Sequence, residues 1–158
     1  MIFKKRVSVT DYCSSKLSRL TLQERELAWD GLRTKCNDAA LNLADKDLYY
    51  DNLRAVMVRL MSIAIVKNCA EDSSTDAYVF ISRYLKNQNL TQINSLSGEY
   101  SSAFGSSYSD GLAPMVERFA AKVTQSKMGE PTKRQFYVEF SGTLNVLAEE
   151  FKTIKLVC

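Results

Sequence analysis

Apolar residues recur with the period of an α-helix along almost the whole chain, and no other feature constrains its fold as much. Strict alternation of apolar and polar residues, the mark of a half-buried strand, is scarce; Val7 and Val9 alternate with polar neighbours near the N-terminus. The strongest stripe spans residues 48–69. Leu53, Val56, Met57, Leu60, Ile63 and Ala64 keep helical spacing, further apolar residues widen the stripe, and Arg59 is the only charged residue between Arg54 and Lys67. A helix that is apolar over most of its surface belongs inside a protein. The expected fold is therefore all-α: a single-domain bundle of six or seven mostly antiparallel helices joined by short connections, with residues 48–69 at its centre.

The other elements follow from caps and breakers. Residues 1–9 read as an extended N-terminal arm for which the sequence shows no obvious partner strand, and Ser8 or Thr10 as the cap of a helix ending near Leu20. Thr21 with Glu24 forms a capping box, in which each side chain accepts the other's backbone N–H. The helix it opens is expected to continue to about Ala44, where Asp45-Lys46-Asp47 breaks it. Glu71–Asp76 reads as a polar turn before a helix over 75–87, and Thr91 as the cap of a helix carrying Ile93, Leu96 and Tyr100. Residues 94–110 contain seven serines, Gly98 and Gly105 and read as a loop-like segment. Gly111 to Lys127 is the next helix, with Pro114 tolerable only in its first turn. Thr132 with Gln135 forms a second capping box. It opens a final helix that runs to about Lys155 and packs on residues 48–69.

The chain has no histidine, which removes Ser-His-Asp triads, Cys-His pairs and His-ligated metal sites. No phosphate-cradling glycine loop and no calcium loop is present. Cys13, Cys36, Cys69 and Cys158 form no CxxC pair. The first three are expected as buried reduced thiols and Cys158 as an exposed one. The sequence thus offers no catalytic residue, metal or cofactor, and the expected role is not enzymatic. Net charge is only +3, but residues 1–36 carry eight basic and four acidic side chains. No stretch reaches the roughly 20 apolar residues that span a bilayer, no secretory signal opens the chain, and a cytoplasmic location is expected.

Three constellations remain as candidates. Arg25, Trp29 and Arg33, four residues apart, share one helix face and make a candidate ligand-binding platform of an aromatic ring between two cations. Arg59, lone in the most apolar helix, needs a partner. Glu139, Glu149 or Glu150 of the last helix could supply one, and otherwise Arg59 holds a small anionic ligand in a bundle cavity. Tyr49 and Tyr50 combine apolar area with a polar handle and are candidate interface residues. The leading expectation is a non-catalytic protein–protein interaction module that associates with a protein partner or with itself. Small anionic-ligand binding at Arg59 is the alternative. Nucleic-acid contact through Lys4, Lys5, Arg6 and the Arg25 face is disfavoured by the modest charge.

Overall fold

Asp45 starts the central helix. Its carboxylate accepts the Leu48 N–H at 2.8 Å, and the acids that looked like a helix breaker are thus the cap and first turn of the next helix. The computed structural model describes residues 3–21, 25–100 and 109–158. Among them the order is β1 (Lys5–Ser8), α1 (Val9–Thr21), α2 (Glu26–Cys36), α3 (Ala39–Asn42), α4 (Lys46–Asn68), α5 (Glu71–Asn87), α6 (Thr91–Glu99), α7 (Ser109–Val123), α8 (Glu130–Glu150) and β2 (Ile154–Val157). The chain is mostly helical, as its periodicity predicts, with eight helices among the described residues against the six or seven expected.

α4 is buried on nearly every side and packs against α1, α5, α6, α7 and α8. Tyr49, Phe119, Phe136 and Phe140 join α4, α7 and α8 through ring contacts, the shortest being Phe119–Phe136 at 4.7 Å between centroids. Asn52, fully buried in α4, is satisfied: its amide donates to the Leu48 carbonyl at 2.8 Å, and its side-chain oxygen accepts from the Tyr100 hydroxyl at 2.7 Å. Burial in turn pushes the Tyr100 phenol above its ordinary range.

Several sequence expectations are corrected. The N-terminal arm has a partner: β1 pairs in parallel with β2, Lys5 opposite Ile154 and Val7 opposite Leu156. The last helix accordingly ends at Glu150, not near Lys155, and Lys4 Nζ donates to the Phe151 carbonyl at its end. A parallel pair needs a long crossover, and here all the described helices lie between the strands. The helix expected up to Ala44 stops at Cys36, because Asn37 adopts the left-handed conformation (φ 47°) that terminates helices. Asp38 then caps α3. Its Oδ1 accepts from the Ala40 and Leu41 N–H groups, and its Oδ2 accepts from the Gly129 N–H and the Thr132 hydroxyl, both at 2.8 Å. Burial raises the Asp38 carboxyl, but these four donors outweigh it and hold the group below its usual range. Thr132 is therefore not a cap. α8 starts two residues earlier, with Gly129 as its N-cap, and a side chain on Gly129 would lie 3.0 Å from Asp38 Oδ2.

α5 begins at Glu71, so the expected polar turn is its first turns, with Glu71 and Asp72 at the favourable end of the helix dipole. Residues 94–99 of the serine-rich segment belong to α6, while 101–108, like the Glu24 end of the first capping box, lie outside the described residues. Pro114 lies inside α7, past its first turn. All four cysteines are free: Cys13 is buried, Cys36 and Cys69 half-buried, and Cys158 exposed. Burial, aided by nearby Cys69, pushes the Cys13 thiol up to about 12.

Candidate functional site

α1 packs on α4 and α5, and α8 packs on α4 and α7, so α1 and α8 leave a groove between them. Its volume is about 680 Å³. Leu20 and Leu147, both buried, form the floor, and Val138, Gly142 and Val146 form the α8 wall. Lys16 and Arg19 of α1 and Arg25 at the start of α2 form the basic rim. One end is fixed by a polar knot, in which Lys16 pairs with Glu150 and stands 5.5 Å above the Tyr12 ring. The Tyr12 hydroxyl donates to Glu150 at 3.0 Å, and burial, reinforced by Glu150, pushes that phenol up. Arg19 and Arg25 make no ion pair among the described residues. Arg25, Glu139 and Thr143 also line a neighbouring cleft of about 250 Å³ between α2 and α8, which extends the concavity along α8.

The α8 wall follows from helix arithmetic. Phe136, Phe140, Leu144 and Leu147 turn inward, so Val138, Gly142 and Val146, each four residues apart, fall on the opposite side. The two valines are 60% and 64% exposed. A side chain added at Gly142 meets nothing within 4 Å. The inward residues keep helical spacing in the sequence. The outer stripe was missed, although the off-stripe valines are its signal.

The candidates chosen from sequence are dispersed. Arg25 reaches the groove, and Trp29 lines only the neighbouring cleft with it; Trp29 is 4% exposed, with its ring 6.1 Å from that of Tyr50 and its carbonyl accepting the Tyr49 hydroxyl at 2.8 Å. Arg33 lies 5.8 Å from the Tyr49 ring centroid and 3.7 Å from Asp30. The three residues form no stacking platform. Tyr49 and Tyr50 are likewise core, at 0% and 4% exposure, not surface. The Tyr50 ring sits between Lys46 and Arg54, at 5.5 and 5.7 Å, and Arg54 pairs with Glu26 and Asp51. The Tyr50 hydroxyl, with Lys46 and Arg33 beside it, holds the Asp30 carboxyl below its usual range against the opposing effect of desolvation.

Arg59 meets a helix end where the sequence suggested a carboxylate. Its Nε donates to the Ser97 carbonyl at 3.1 Å, in the last turn of α6, where a cation complements the helix dipole. Burial lowers the guanidinium pKa, and Tyr78 offsets this in part. Arg59 lines a cleft of about 230 Å³ between α4, α5 and α6. The hydroxyls of Ser62, Ser74 and Ser97 around it donate to the carbonyls of Val58, Ala70 and Asn94.

Among the described residues no group of three or more Cys, Asp and Glu is arranged to hold a metal ion, and no helix is long and apolar enough to cross a membrane. Compared with protein-family models, with curated proteins and with solved structures, the chain matches none.

Proposed function

We propose that this chain is a non-catalytic protein–protein interaction module, and that it docks a helical segment carrying apolar and acidic side chains along the groove between α1, α2 and α8. The observation that carries this reading is the pairing of two exposed valines flanking a glycine with two arginines that lack an ion pair among the described residues. Exposed apolar side chains grouped beside a concavity mark interaction surfaces, and an amphipathic helix laid in such a groove is a recurrent recognition mode. The rim selects the charge: a segment bearing carboxylates satisfies Arg19 and Arg25 and gains in association rate.

The Arg59 cleft supports ligand binding less well. Its guanidinium Nε serves the end of α6, and the surrounding hydroxyls donate to backbone carbonyls, so fewer donors are left for an entering carboxylate.

A labelled designed helix, with leucines four residues apart and glutamates flanking them, is the test. It is expected to bind the wild-type chain and to lose at least about tenfold in affinity on Arg19→Glu/Arg25→Glu. Equal binding by both proteins overturns the charge-selected groove.

A further inference from the structure

We infer that the occupant of the groove is a second copy of this chain, the two α8 helices crossing antiparallel about Gly142. The inference rests on the groove reading above and names its partner. α8 itself carries what the groove asks for. Val138, Gly142 and Val146 present an apolar ridge with a gap at its centre, and Glu139 and Glu149 flank that ridge on the same exposed side of the helix. The surface is at once groove wall and occupant, which is the condition for an isologous two-fold contact.

Charge fixes the direction. A parallel pair sets each residue against its own counterpart, Glu139 on Glu139 and Glu149 on Glu149, so that like charges meet. An antiparallel pair centred on Gly142 sets Val138 of one copy against Val146 of the other. It places Gln135 opposite Glu149, with exposed Arg134 one residue away. It also carries Glu139 of each copy toward the Val146 end of the other's groove, where Lys16 and Arg19 stand. Gly142 lets the two backbones approach at the crossing point. Because a side chain there meets nothing within 4 Å in the single chain, filling the position disturbs the dimer and not the fold.

The experiment is sedimentation of the full chain across a wide concentration range, with four variants whose folding is checked by thermal unfolding. Wild type is expected to convert from one chain mass to two as concentration rises. Gly142→Leu and Val138→Asp are expected to weaken that conversion by at least about tenfold while unfolding as cooperatively as wild type. Arg134→Glu is expected to weaken it, and the swap Arg134→Glu/Glu149→Arg to restore it, because each new arginine then meets a new glutamate on the other copy. A chain that stays monomeric at every concentration overturns the inference. So does a dimer indifferent to Gly142→Leu, or one not restored by the charge swap. A monomer that still binds the designed acidic helix leaves the groove reading standing and rejects only the second copy as its occupant. A monomer that binds neither rejects both.

Discussion

α4 and α8 are the two longest helices among the described residues and pack on each other, yet the fold uses them differently. α4 is enclosed by α1, α5, α6, α7 and α8, whereas α8 rests on α2, α4 and α7 and leaves Val138, Gly142 and Val146 in solvent. Three polar groups of α4 have internal tasks. Asn52 holds Tyr100, Arg54 pairs with Glu26 and Asp51, and Arg59 meets the end of α6. The valines on the outer face of α8 make no comparable contribution to the core. A polar residue in an apolar stripe is thus a weaker sign of function here than an apolar residue on a polar face, because burying a polar group already demands a partner.

The comparison is broken most forcefully in α4. Leu60 is fully buried, and Leu60→Ala is expected to cost about 2–5 kcal/mol through lost burial and the cavity left behind. Urea denaturation measures this directly, and a loss below about 1 kcal/mol would show that α4 is not enclosed as described. Asn52→Ala is next, at about 1–3 kcal/mol, because it strands the buried Tyr100 hydroxyl. Adding Tyr100→Phe to that variant is expected to recover part of the loss by removing the stranded group.

These two helices also divide what the sequence discloses. The inward stripes of α4 and α8 were readable from periodicity, and so was the packing of one on the other, because burial imposes helical spacing on every turn. The strand pair was not readable. β1 and β2 are each four residues long and lie at opposite ends of the chain, and no local pattern reports a pairing that remote. The break at Asn37 was missed because Cys36, Ala39, Ala40 and Leu43 continue a plausible stripe across it. Only the left-handed backbone at Asn37 and the two-sided use of Asp38 separate α2 from α3. The site was partly legible. Arg25 was chosen for its spacing from Trp29 and Arg33, and it reaches the groove for a different reason, its position at the start of α2. Trp29, Tyr49 and Tyr50 were chosen for their chemistry, and the core absorbs all three.

Asp38 offers a smaller and pH-dependent effect. Its folded pKa is lowered, so its contribution is fully present above the unfolded value of about 3.9 and is lost as pH falls through the lower folded value. Stability is expected to decline below about pH 4. Asp38→Asn, whose Nδ2 cannot accept from the Gly129 N–H and the Thr132 hydroxyl, is expected to cost about 1 kcal/mol near neutrality and to show a shallower decline in acid. Parallel acid limbs for the two proteins would remove Asp38 from that role.

The smallest effect on stability is expected where the effect on association is largest. Val146→Ser replaces an exposed side chain on the outer face of α8, and surface changes away from special features stay within about 0.5 kcal/mol. Unfolding of the dilute monomer is therefore expected to be nearly unchanged. The same substitution removes half of the valine pair that flanks Gly142 and introduces a hydroxyl where an apolar contact is required, so self-association is expected to fall by about tenfold. The two measurements together decide what Val146 is for. Loss of stability with association intact would return Val146 to the fold and make α8 a second α4. Loss of association with stability intact would identify the outer face of α8 as a surface that folding leaves vacant and binding fills.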